Sequence, residues 1–341
     1  MIRRAAAQVA FVVVLLAAPA GAQAAGWANP DLLVTPDVVQ ANVGKPDWVI
    51  VDCRDLKLYA KGHIPGAISF GKECKKALRD ASARVFKDPK RYESFLGKAG
   101  IGNDTHVVFY GEHKVTDTFK DATVAFWVME YLGHDKAHVL NGGIDAWLKA
   151  GKQLTNEPTL RPEKTFKAKV VASRYASTDE VLRIAQGKAK GVTVIDARSK
   201  NEHAGEDIRA LRGGYVPNTT ANIPHTATMD QDKDPATGKD VDNGYLSPDR
   251  VAAAYASLDK ARRTIAYCQT GTRSTVTYLE LRLLGFKEPA NWDDSWIVWA
   301  NQVRYPVENE QWINFERLGK VEKELKQLED AAKAKAELAK Q

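Results

Sequence analysis

Trp48-Val49-Ile50-Val51-Asp52-Cys53-Arg54 and Val192-Thr193-Val194-Ile195-Asp196-Ala197-Arg198 are two versions of one pattern. Each is a short, unbroken, β-branched run ending in Asp-x-Arg. A strand covered on both faces reads this way, because neither set of alternating side chains meets water. The correspondence continues downstream. Gly62-His63-Ile64-Pro65-Gly66-Ala67 in the first half is answered by Gly214-Tyr215-Val216-Pro217-Asn218-Thr219 in the second. A second apolar run follows in each, His106 to Tyr110 and Thr264 to Tyr267. A helical pattern then leads to Tyr131-Leu132-Gly133-His134 and its counterpart Leu283-Leu284-Gly285-Phe286. Asn141 to Trp147 and Asp293 to Trp299 close the two halves. Strands alternating with helices predict parallel βαβ units, so the expected fold is α/β with two domains, each a mostly parallel sheet with helices on both faces.

The boundaries expected from this repeat are 33–150 and 174–312, joined by a polar linker over 151–173 that contains Pro158 and Pro162. Ahead of them, Arg3 and Arg4, the apolar run Ala5 to Ala18 and the small residues of Ala22-Gln23-Ala24 read as a cleavable signal peptide over 1–24. The run is short for a bilayer span. The expectation is a mature protein in the periplasm or secreted, with no membrane span after leader cleavage. The Lys/Glu/Ala-rich stretch 313–341 reads as a charged terminal helix and tail. Its Leu318, Val321, Leu325 and Leu328 fall near helical spacing.

The 341 residues are 44% hydrophobic and 27% charged, enough for two cores. The net charge of +6 becomes +4 without Arg3 and Arg4. Lysines and arginines are scattered, so no nucleic-acid partner is indicated. Asp230-x-Asp232-x-Asp234 has calcium-like spacing, but Pro235 stands where a calcium loop needs Gly and the distal acid is missing. Residues 230–244 are therefore expected as a solvated loop, and no metal is assigned. The chain has three cysteines, so at least one thiol has no partner within it. Whether Cys53 and Cys74 pair is left open by the sequence.

The chemistry concentrates at Cys268, which ends a predicted strand. Gln269, Thr270, Gly271, Thr272 and Arg273 follow, and a helical pattern begins at Ser274. A strand end, a short loop and a helix start let several backbone N–H groups converge on one point, which favours negative charge there. Such a site raises the thiolate fraction of a cysteine. Gly271 permits a tight loop, and Arg273 adds a fixed positive charge. A buried, inert cysteine is the plain alternative; the Gly, Arg and Ser ahead of a helix argue against it.

This loop, the two Asp-x-Arg strand ends, Gly62 to Ala67 and Asp293-Asp294-Ser295-Trp296 resemble the rhodanese family. The tandem members of that family have two such domains, and only the second carries the reactive Cys. The resemblance covers about residues 33–312. It implies a sulfurtransferase in which Cys268 takes sulfur from a small-molecule donor such as thiosulfate and yields it to a thiol or cyanide acceptor, with no cofactor. Asp196 and Arg198 are expected to brace the strand end near the cleft as a mostly structural charge pair; the resemblance also implies that Gln269 to Arg273 bind substrate, that Arg198 helps orient the donor, and that Asp196 and Ser274 support the site. Gly111 falls where the second half has Cys268, so the first domain is expected to be inactive and to wall the cleft. Trp292, Trp296 and Trp299 are expected as core or interface residues.

The loop departs from the tandem pattern. Gln269, Thr270 and Arg273 stand where thiosulfate-specific members have Arg, Lys and Thr, and Glu202 stands where both tandem groups tend to have Arg. A cysteine phosphatase loop has five residues between Cys and Arg; here there are four, which suits a sulfur atom better than a phosphate. No Cys-x-x-Cys pair supports a thiol–disulfide oxidoreductase. A rhodanese-like protein that binds or senses sulfur without turnover is the remaining alternative. The sequence identifies no partner protein.

Overall fold

The computed structural model describes residues 26–114, 117–233, 240–312 and 315–338. The expected leader lies outside them, as does the Asp234-Pro235 step of the calcium-like spacing.

The first half contains β1 (Leu33–Val34), β2 (Trp48–Asp52), β3 (Ala67–Ser69), β4 (His106–Tyr110) and β5 (Ala137–Leu140), in a five-stranded sheet of order β1-β5-β4-β2-β3. Every pairing in it is parallel. The second half contains β6 (Thr193–Asp196), β7 (Gly213–Tyr215), β8 (Ala221–Asn222), β9 (Met229–Lys233), β10 (Asp240–Tyr245), β11 (Arg263–Tyr267), β12 (Glu288–Asn291) and β13 (Glu308–Gln311). Of these, β12-β11-β6-β8 form a parallel sheet, while β13 pairs antiparallel with β7.

The β-branched runs are buried on both faces, as their composition predicts. Val49 and Val51 of β2 enter one apolar cluster, and Ile50 between them enters another on the opposite face. In the second domain Val194 and Ile195 divide the same way. The register matters for the site. Asp52 pairs with Tyr110 and Asp196 with Tyr267, so each Asp-x-Arg end lies beside the position where β4 or β11 gives way to a loop. Those loops lie at the carboxyl ends of parallel strands, where α/β sheets bind their ligands.

The domains share a core. The helices Phe119–Tyr131 and Ser274–Leu283 are buried along nearly their whole length and face each other across the interface. The Thr123 and Thr275 hydroxyls are 2.8 Å apart, and Glu130 receives both the Tyr278 hydroxyl at 2.5 Å and the Arg282 guanidinium at 2.8 Å. Val276, Tyr278, Leu279 and Leu283 belong to the first domain's principal cluster.

Residues 151–173 run as an extended strap along the first domain. The Lys164, Lys169 and Val171 amides donate to carbonyls of Gly97, Leu132 and Tyr131, and Phe166 is buried. One expectation is corrected: much of 230–244 is not a loop but the antiparallel ribbon β9-β10. Its ends are what hold it. Met229 and Tyr245 sink into the first domain's core, and the Tyr245 amide donates to Asn141 Oδ1 at 3.0 Å. The C-terminal helix spans Phe315–Leu338, and its Val321, Leu325 and Leu328 are exposed. Among the described residues no helix is long and apolar enough to cross a membrane.

Candidate active site

Cys268 follows β11 directly and is fully buried, with its sulfur unpaired. Its backbone is fastened from the other closing motif. The Cys268 amide donates to Ser295 Oγ at 3.1 Å, and the Cys268 carbonyl accepts from the Trp296 amide at 3.0 Å. Ser295 has a φ of +52°, an unusual conformation for a side-chain-bearing residue, held here by its hydroxyl bond to the Trp292 carbonyl.

The sulfur sits at the start of the helix Ser274–Leu283. The Thr270 and Ser274 amides hydrogen-bond to it, and Ser274 Oγ lies 3.6 Å away. Ser274 Oγ also lies 2.6 Å from Asn291 Oδ1, and a hydroxyl has one proton to give. A protonated Cys268 can donate to Ser274, which passes its own proton toward Asn291; a thiolate receives the Ser274 proton instead. Burial works against the thiolate. The charge of Arg273, the Ser274 hydroxyl and the two amides outweigh it and hold the Cys268 thiol below its ordinary pKa.

The loop is stretched over this sulfur with little freedom. Gly271 has a φ of +74°, and a Cβ there would lie 2.4 Å from the Asp293 carbonyl oxygen. Thr270 is exposed at the lip and Thr272 is half-buried. Gln269 is half-buried and donates through Nε2 to the Arg209 carbonyl at 2.9 Å. Arg273 is not an open cation at the rim. Its two terminal nitrogens lie 2.6 and 2.7 Å from the carboxylate oxygens of buried Glu202. Burial opposes the Glu202 charge, but Arg273 holds that carboxyl below its usual range.

Asp196 and Arg198 form a brace. Arg198 Nη2 reaches Asp196 Oδ2 at 2.6 Å and the Gly214 carbonyl at 2.8 Å, and the guanidinium lies 4.5 Å from the Trp296 ring centre. Arg54 does the same with Asp52 and the Gly62 carbonyl in the first half. Arg198 therefore braces its strand end, and the first half repeats the brace with Arg54. Trp292, Trp296 and Trp299 are core residues.

Several contributors escaped sequence reasoning. Arg79, from the first domain, donates to the Gly271 carbonyl at 2.9 Å and to Thr272 Oγ1 at 3.0 Å. It also lies 2.6 Å from Asp293 Oδ1, an ion pair off hydrogen-bond alignment. Nothing local marks Arg79. Asp293, Ser295 and Glu202 stood in stretches already singled out, but their contacts did not show in the sequence. Cys53 and Cys74 form a disulfide, both sulfurs buried, and Cys74 begins the short helix that leads to Arg79. At the equivalent place in the first half, a Cβ on Gly111 would lie 2.1 Å from the Thr118 carbonyl oxygen. That loop has closed over the space a cysteine would need. Among the described residues no group of three or more potential ligands is arranged for a metal.

The family model for the rhodanese-like domain matches this chain twice, at residues 35–150 and 177–302. A putative thiosulfate sulfurtransferase of Haloferax volcanii is 32% identical over 295 residues, 82% of this chain and 96% of its own. A thiosulfate sulfurtransferase of Corynebacterium glutamicum is 30% identical, covering 83% of this chain and 92% of its own. The crystal structure of a 3-mercaptopyruvate sulfotransferase from Escherichia coli superposes with a TM-score of 0.62 at 21% identity, over 78% of this chain and 98% of that one, a likeness of fold. With its two domains, its repeated strand ends and its relatives in agreement, the chain belongs to the rhodanese family and is a sulfurtransferase.

Proposed function

We propose that sulfur is carried as a persulfide on Cys268. The carrying observation is the single free thiol at a strand end with two amides, a hydroxyl and a guanidinium directed to its charge. The Cys268 thiolate attacks the outer sulfur of thiosulfate. A new S–S bond forms, the bond to the sulfonate sulfur breaks, and sulfite leaves with that electron pair. A thiolate or cyanide then attacks the outer sulfur of the persulfide, and Cys268 returns as thiolate. The donors of the cradle stabilise anionic sulfur at each stage without rearranging. Thiosulfate is the first donor to test, since the Haloferax and Corynebacterium relatives are named for it. Their names leave the acceptor open.

The reaction takes place outside the cytoplasm in this reading, because of the leader at 1–24; the buried Cys53–Cys74 disulfide suits an oxidising compartment. Cys268→Ser is expected to remove thiosulfate-to-cyanide sulfur transfer by more than about a thousandfold. Cys53→Ser and Cys74→Ser retain transfer in proportion to the folded fraction. Transfer surviving in folded Cys268→Ser overturns the assignment.

A further inference from the structure

The cations closest to the sulfur are already engaged. The terminal nitrogens of Arg273 are clasped by Glu202, and Arg198 is tied to Asp196 and the Gly214 carbonyl. Thiosulfate holds its sulfonate one bond away from the sulfur that Cys268 attacks, so whatever grips the sulfonate stands at the same strand ends. Backbone hydrogen bonds step across those ends. The Ala197 amide, just past β6, donates to the Tyr267 carbonyl at 2.8 Å, and the His225 amide donates to the Ala197 carbonyl at 3.2 Å. His225 follows β8 through Ile223 and Pro224, and β6 alone separates β8 from the strand that leads to Cys268.

His225 is 8% exposed, and neither of its ring nitrogens has a hydrogen-bond partner among the described residues. The Ala197 carbonyl lies near the ring but out of alignment for a bond. Burying polar atoms unpaired is costly, and the other buried histidines are placed differently. His63, His134 and His138 each set a ring nitrogen against a backbone carbonyl, and His113 is stacked on Phe119 with ring centres 4.2 Å apart. His225 has neither arrangement among the described residues. Lys120 of the first domain, itself paired with exposed Asp117, and Arg273 act on the ring more strongly than the opposing Glu202. Burial first, and then these two cations, push the His225 pKa down to about 3. The ring is therefore uncharged at neutral pH, with one N–H to give and one lone pair. An unused N–H in the field of two cations suits an oxyanion.

We propose that His225 binds the sulfur donor, giving a ring N–H to a sulfonate oxygen of thiosulfate while the outer sulfur meets Cys268. The inference rests on the persulfide reading and adds a residue that selects the donor. His225 keeps its proton throughout. Cys268 Sγ bonds to the outer sulfur, the bond to the sulfonate sulfur breaks, and sulfite leaves with that electron pair. The persulfide that remains has no sulfonate, so His225 takes no part in its removal by cyanide.

The test uses the full chain. In a two-step exchange, kcat/KM for thiosulfate reports the loading of Cys268 and kcat/KM for cyanide reports its unloading. His225→Phe keeps a ring in the core and removes the N–H. It is expected to lower kcat/KM for thiosulfate about tenfold or more, the loss of a hydrogen bond to an anion, and to leave that for cyanide within about twofold. His225→Asn and His225→Gln carry an amide N–H toward the place of one ring nitrogen or the other, and one of them is expected to recover part of the loss. Urea midpoints report the fold of each variant. Should His225→Phe not fold, His225→Leu takes its place with the same expected ratio. Equal losses with both substrates, no loss with either, or no recovery by either amide overturns the assignment of His225. Absence of any persulfide on Cys268 in the unaltered protein instead overturns the reading beneath it.

Discussion

At Cys268 two opposing effects meet. Full burial disfavours a charged sulfur, while Arg273, Ser274 and the Thr270 and Ser274 amides favour it, and the second group prevails. The nucleophile is the thiolate, so donor turnover rises with pH through the Cys268 pKa and levels off above it. That rise is expected below the ordinary cysteine value of about 8.5. Arg273→Ala removes the largest favourable contribution, so the rise moves to higher pH. The pH dependence of kcat/KM for thiosulfate, or of alkylation by iodoacetamide, reports it; an unmoved profile removes Arg273 from the sulfur's environment. This part of the site was legible because it is local. Cysteine, glycine, arginine and the helix start lie within seven consecutive residues, and the chain needs only to turn once for their amides to converge. The partner of Arg273 was not legible. Glu202 stands out only as a departure, and that its carboxylate clasps the Arg273 guanidinium depends on where the short helix after β6, Lys200–Ala204, is set against the loop.

Among the elements, the two strand-to-loop junctions make an internal comparison. Both follow a strand paired in register with an Asp-x-Arg strand, and only one leaves room for a side chain. Gly111→Cys is therefore not expected to create a second sulfur carrier. The added atoms meet the Thr118 carbonyl, and the protein loses about 1–3 kcal/mol of stability by denaturant titration. A stable variant with sulfur on residue 111 would contradict this. The parallel strands were legible for the same reason that they are buried: β-branched runs covered on both faces leave a continuous apolar signature. The β9-β10 ribbon left none. Its residues between Met229 and Tyr245 are mostly polar, and its pairing depends on those two ends reaching the core of the other domain.

For the whole molecule, the first domain is more than a wall. Through Arg79 it holds the Gly271 carbonyl and the Thr272 hydroxyl of the catalytic loop, a contact spanning 193 positions in the chain from Arg79 to Thr272. No periodicity or motif encodes such a contact, which is why the sequence reading missed it. Arg79→Ala leaves Asp293 buried without its cation, and a loss of about 3–5 kcal/mol is expected. Burial pushes the Asp293 carboxyl up in pKa and Arg79 pulls it down; without Arg79 it rises further. An acid whose folded pKa is raised weighs against the fold as pH climbs through the interval up to that pKa. The variant's deficit should therefore be larger at about pH 8 than at about pH 5 in urea titrations. A deficit independent of pH would mean that Asp293 does not feel Arg79.

The account depends on anionic sulfur being held where the loop amides meet the helix start. The most direct measurement is the mass of the peptide containing Cys268 after the intact protein has been exposed to thiosulfate and then digested under non-reducing conditions. The expected result is a gain of one sulfur atom on that peptide, removed by cyanide and absent in Cys268→Ser. No added sulfur, or sulfur carried by any other peptide, contradicts it.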